Sequence, residues 1–279
     1  MSIVTIMRLT MREAQRRKVL WGLLILSAIF LLLYTLGMSF INQQVLRYGS
    51  SNRIEPNMIR SGYSFLLISG LYAANFLIVM LSVLLPIDTL AGEIGTGTIQ
   101  SLAVKPLARR NLLLGKWLGF VIMLGGSALI LGGGVMLITW LVAGYAPANW
   151  PTGLIVMLLE TLIFLSVSLL GGTRLSTLAN GVLGFGLFGV AFIGGFIEYI
   201  GNFFFNSDTV TNVGRLTTYI MPSDALWRLA VSEVAEGQNP FKLAFGGLTQ
   251  PDAGILTYAI VFAAVVLLAA LWSFQRRDL

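Results

Sequence analysis

Long stretches of this chain contain no charged side chain, and that restricts the fold more than any motif does. From Val19 to Ile41 there is no Asp, Glu, Lys or Arg. A helix needs about 20 apolar residues to cross the hydrocarbon core of a bilayer. It also satisfies its own backbone there, which an open strand cannot do. Blocks of this kind recur at approximately Val19–Ile41, Ser64–Ile87, Trp117–Gly144, Thr152–Gly172, Leu178–Ile200 and Gly254–Phe274. Only 11% of the residues are charged, against about a quarter in a soluble domain. We therefore expect an all-α integral membrane protein with six transmembrane helices, residues 1–279 forming a single domain. The first block has too long an apolar core for a signal peptide, and no small-x-small cleavage site follows, so it reads as a retained span.

Several chemistries are excluded by residue type. The chain has no Cys and no His, which removes disulfides, thiolate nucleophiles and the commonest general base and metal ligand. No Lys lies within a span, so a Ser–Lys intramembrane hydrolase lacks its base. We expect no catalytic residue, no metal and no nucleic-acid partner. The formal net charge of +6 fits basic loops retained on the cytoplasmic side.

The cations also orient the chain. With the N-terminus inside, inner segments carry Arg8, Arg12, Arg16, Arg17, Lys18, Lys105, Arg109, Arg110, Lys116, Arg174, Arg276 and Arg277. Outer segments carry Arg47, Arg53, Arg60, Arg215, Arg228 and Lys242. Both termini are expected in the cytoplasm, with the protein in the cell membrane. In residues 1–18, Ile3, Ile6, Met7 and Met11 recur at helical spacing, with Arg8, Arg12 and Arg16 on another side. Glu13 and Arg17 add an i,i+4 pair. This is expected to be an amphipathic interfacial helix with its cations towards lipid headgroups.

Residues 88–116 form a cytoplasmic excursion with glycines, hydroxyls and a Gly115-Lys116 pair. A phosphate-binding loop needs a preceding strand and a Ser or Thr after Gly-Lys. Here Trp117 follows, and the span begins. The segment instead reads as a short helix, a Pro106 stop, and a second helix running into the membrane, which suits docking on a soluble partner.

At these residues the chain resembles the permease subunits of type-2 ABC transporters, mostly exporters. The resemblance is carried by Glu93, Gly97, Thr98, Leu102, Pro106, Arg109, Leu114, Gly115 and Lys116, and by Pro222, Asp224, Ala225 and Arg228 before the last span. Ile94, Gly95 and Thr96 depart from the more charged pattern usual there. The resemblance implies a coupling helix between Glu93 and Lys116 that docks on a separate ATPase, which would hold ATP and Mg. It also implies a second permease chain, as a homodimer in the lipid bilayer, and no cofactor on this chain.

Glu160 lies midway along the fourth span, where an ionisable group is costly. Two readings stand: a residue lining the pathway, or a hydrogen-bonded carboxyl that glues helices together. Glu198, near the outer end of the fifth span, reads as an interface residue without an evident cationic partner. The fifth span's glycines are spread around the helix and read as close packing on several sides. The outer region 201–253 contains an amphipathic stretch starting at Pro222-Ser223-Asp224, with Leu226, Leu229, Ala230 and Val234 on one stripe. It is expected to rest on the outer surface as a gate formed by Pro222, Asp224 and Arg228, or as a surface helix without gating duty. A non-transporting membrane scaffold is the alternative function. An ion-coupled secondary transporter fits less well, since internal repeats and several intramembrane charges are absent.

Overall fold

The structure, a computed structural model, describes residues 3–16, 18–49, 56–95, 109–147, 149–235 and 254–276. Among them are six helices long and apolar enough to span a bilayer, and every expected span is represented. The first is α2 (Lys18–Gly49), preceded by α1 (Ile3–Arg16); the second is α3 (Pro56–Gly95). The third is α4 (Arg109–Ala128), continued through a π-helical turn (Leu129–Gly133) into α5 (Gly134–Ala143). Then come α6 (Trp150–Gly172) and α7 (Thr177–Ile200), which ends in a second π-helical turn (Gly201–Phe205). Two shorter helices, α8 (Asp208–Ile220) and α9 (Ser223–Val234), precede the last span, α10 (Ile255–Gln275).

Helices α2 and α3 run beyond the apolar blocks, because Gln43, Gln44, Asn57 and Arg60 continue the helix where hydropathy fades. Pro56 opens α3, a position where its missing N–H is no loss. Pro86 is accommodated inside the same helix.

Helix α6 is the hub. It has no polar stripe because it is covered on nearly every side, packing on α3, α4, α9 and α10. One apolar core gathers Leu71, Ile78, Val135, Met157 and Phe164. A second, at the other end of the bundle, gathers Leu85, Leu113, Phe120, Leu169 and Phe274. At that same end Thr173 and Ser273 exchange a 2.7 Å hydrogen bond. By contrast α2 and α10 leave most of their apolar surface uncovered within one chain.

The N-terminal helix forms as its periodicity predicts, and its buried residues Ile6, Thr10 and Ala14 are turned towards protein. They seat on α4. A Cβ at Gly115 would stand 2.6 Å from Ile6 Cβ, and one at Gly119 3.1 Å from Thr10 Cβ. Arg8, Arg12 and Arg16 stay exposed.

After the second π turn, Asn206 takes a left-handed conformation (φ 44°) and the chain reverses. Helix α8 then returns along α7, and α9 turns off after the extended Met221. The amphipathic helix expected from Pro222 is present as α9, but it does not rest on the surface. Ala225, Leu226, Ala230, Val231 and Val234 are buried, and Gly153 of α6 is in close approach to Val234. Its stripe is wider than the sequence suggested because α6 covers one side and α7 another.

Candidate functional site

Glu160 sits on α6, 1% exposed, and faces a small cavity bounded by α3, α7 and the start of α9. Asn75 of α3 donates from Nδ2 to Glu160 Oε2 at 2.9 Å. The Ser223 hydroxyl donates to the same carboxyl. No cation pairs with Glu160 among the described residues. The opposite atom of the Asn75 amide, Oδ1, is buried without a hydrogen-bond partner.

The cavity walls are aromatic: Tyr72 and Phe76 from α3, Phe188 and Phe192 from α7, Trp227 from α9. Tyr72 meets Trp227 edge-on at 5.4 Å between ring centroids, and Phe76 meets Phe188 at 5.7 Å. The cavity offers about 20 Å³, room for a single water or one small polar group. Tyr72, Phe76 and Phe192 are also partly exposed on the outside of the bundle, so the cavity's wall is itself a surface.

Asp224 closes the cavity at its α9 end and joins it to a charge network. Arg228 Nη2 donates to Glu198 Oε2 at 2.7 Å, and Arg215 Nε donates to Glu198 Oε1 at 3.2 Å. Arg228 Nε stands 2.9 Å from Asp224 Oδ2, an ion-pair contact without hydrogen-bond alignment. Burial pushes the Asp224 carboxyl up to about 6; Arg228 opposes this and the Glu198 charge adds to it. Arg228 is 5% exposed, so removing its closer partner, Glu198, would leave a buried charge short of compensation.

Glycine makes the network possible. A side chain at Gly195 would occupy the space of the Asp224 carboxylate, and one at Gly194 that of Thr217. Gly214 of α8 lies against the Glu198 backbone, its ideal Cβ 2.6 Å from Glu198 Cα. The α7–α8 hairpin is thus in backbone contact, which places Arg215 beside Glu198.

The fold therefore joins two groups of residues that the sequence left separate, Glu160 on one side and Asp224 with Arg228 on the other. Pro222 is the residue capping the start of α9. The reading of Glu198 as lacking a cationic partner is overturned, because the returning α8 and α9 bring two guanidiniums to it. Asn75, Tyr72 and Ser223 were not singled out from sequence. Asn75 carried a signal all the same, as a lone amide in an otherwise apolar stretch of the second span.

The residues expected to face the cytoplasm lie elsewhere. Glu93 belongs to the final turn of α3 and Arg109 opens α4, while Gly97, Thr98, Leu102 and Pro106 lie outside the described residues. Lys116 is on α4 and buried, 4% exposed. Asn75 and Glu93 share α3, about 27 Å apart at a helical rise of about 1.5 Å per residue.

Six helices long and apolar enough to cross a bilayer, three of which line the pocket around Glu160, define a polytopic helical membrane protein. The chain belongs to the ABC-2 family of transporter proteins, matching that family over residues 4–279. It is thus a membrane permease component of an ABC transporter. No curated protein matches it.

Proposed function

We propose that this chain is the permease of an exporter, working as a homodimer and driven by an ATPase on a separate polypeptide. The ATPase docks on the cytoplasmic segment between Glu93 and Lys116, with Glu93, Gly97, Thr98, Leu102, Pro106 and Arg109 forming its contact. The observation that carries this reading is the continuity of α3. Its middle supplies Tyr72, Asn75 and Phe76 to the polar pocket, and its last turn leads into the docking segment. A displacement imposed at Glu93 would travel along α3, which continues through Pro86, to the pocket wall. Glu160 is read as a pathway residue because it lines that pocket, and Asp224 with Arg228 as the outer closure.

The test uses the full chain co-expressed with its ATP-binding subunit. Leu102→Pro should leave the permease folded while ATPase co-purification and substrate-stimulated hydrolysis fall. A proline inside a helical turn costs about 3 kcal/mol, enough to dismantle a short docking helix and too local to unfold the spans. An unchanged complex and unchanged transport in Leu102→Pro would remove the docking assignment, and so would labelled ATP bound by the isolated permease.

A further inference from the structure

Three acceptors meet at the cavity beside Glu160: its own carboxyl, the unpartnered Oδ1 of Asn75 and the Asp224 carboxyl. Asn75 is 3% exposed, so its free acceptor is shielded from bulk water. A buried acceptor without a partner costs about 1–3 kcal/mol, and a donor that reached it would recover that cost. The charges point the same way. Glu198 and Asp224 are paired with Arg228 and Arg215, and Glu160 adds a third carboxyl without an ion pair among the described residues. The walls are the faces and edges of Tyr72, Phe76, Phe188, Phe192 and Trp227, surroundings that attract a cation.

We propose that this cavity takes the ammonium group of a primary amine carried on an apolar chain. An –NH3⁺ group has three N–H donors and no acceptor, matching three acceptors and no donor left over. It is about the size of a water molecule and fits a cavity of about 20 Å³; a trimethylammonium head is several times larger and has no N–H to give. The apolar chain leaves between Tyr72, Phe76 and Phe192, whose rings reach the outer surface of the bundle. The same chemistry is offered by an amphiphilic amine and by an aminophospholipid headgroup. As a substrate site the assignment rests on the permease reading; as a binding site it stands by itself.

The experiment is calorimetric titration of the purified chain, in nanodiscs of phosphatidylcholine and phosphatidylglycerol, with octylammonium, octanol, octanoate and octyltrimethylammonium. Octylammonium should bind saturably and at least tenfold more tightly than the other three. Asn75→Ala and Glu160→Gln should each weaken it at least tenfold while remaining monodisperse with cooperative melting. Glu160→Gln retains the hydrogen bond from Ser223, so it separates lost charge from lost folding. Trp140→Phe, exposed on α5 and outside the cavity, should bind within threefold of the native chain. Octanol binding as tightly as octylammonium, or full affinity in folded Glu160→Gln, would overturn the assignment. Adding phosphatidylethanolamine to the nanodiscs distinguishes the sources: competition assigns the headgroup, and undiminished octylammonium binding assigns the free amine. An ATPase that docks and hydrolyses without any octylammonium binding would refute the ligand and spare the transport reading. Octylammonium binding without ATPase association would do the reverse.

Discussion

At Asp224 the local electrostatics have a measurable consequence. Its carboxyl titrates near 6 in the folded protein, above the value of about 3.9 usual for an unfolded chain. Between those values the folded state holds a proton that the unfolded state has released, so stability falls as pH rises through that window. Above about pH 6 the full cost of burying the charge is present. Asp224→Asn removes that cost, while Arg228 keeps Glu198 at 2.7 Å. The variant should therefore melt at or above the native temperature at pH 7.5, with the difference shrinking as pH approaches 5. A variant less stable at pH 7.5 but equal at pH 5 would mean that the Arg228 attraction outweighs burial. At this scale the sequence was half legible. Asp224 and Arg228 stood out together in the motif before the last span, whereas Glu198 lies in another helix, and nothing local announces a contact across 30 residues of chain.

Among the elements, the α7–α8 hairpin has the tightest construction. Gly201 lies beside the Thr211 backbone, its ideal Cβ 2.6 Å from Thr211 N, and Gly214 lies against Glu198 Cα at the same separation. In both cases the obstruction includes backbone, which cannot rotate aside. Gly214→Ala should spread the hairpin, at an overpacking cost of about 1–3 kcal/mol, and draw Arg215 away from Glu198. Gly189 has nothing within 4 Å of its ideal Cβ, so Gly189→Ala should leave the melting temperature of the purified single chain essentially unchanged. Equal melting temperatures for the two variants would mean that the hairpin does not hold the approach described. That the glycines pack on several sides could be read from their scatter around the helix. The packing of α8 could not, because Val210, Val213, Leu216 and Ile220 recur at helical spacing, yet the residues it buries are Thr211 and Gly214 on another side. Its stability comes from contact with α7 and not from its own pattern.

For the molecule as a whole, the six spans were legible because the bilayer imposes length and hydropathy on each of them independently. Their mutual arrangement was not, since residues meeting at the pocket come from α3, α6, α7 and α9. The fold does sort the charges by end. Arg8, Arg12, Arg16, Arg110 and Arg174 gather where α1, the start of α4 and the α6–α7 turn meet, with Arg276 at the adjacent end of α10. The other end holds Arg47, Arg60, Arg215 and Arg228 together with Glu198, Asp208, Asp224 and Glu233. The first end is thus strongly basic, and the second mixes both signs. If cations are retained on the cytoplasmic side, the α6–α7 turn is inside and the α5–α6 turn outside. The chain has no native Cys, so single cysteines report without background. Ala146→Cys, exposed in the α5–α6 turn, should react with an impermeant maleimide on intact cells. Leu175→Cys, exposed in the α6–α7 turn, should react only after permeabilisation. Both side chains are on turns and not on a packed face, so neither substitution disturbs a core. Reversed labelling would invert the molecule and carry the docking segment to the outside, away from any ATP; labelling of both from outside would break the fourth span itself.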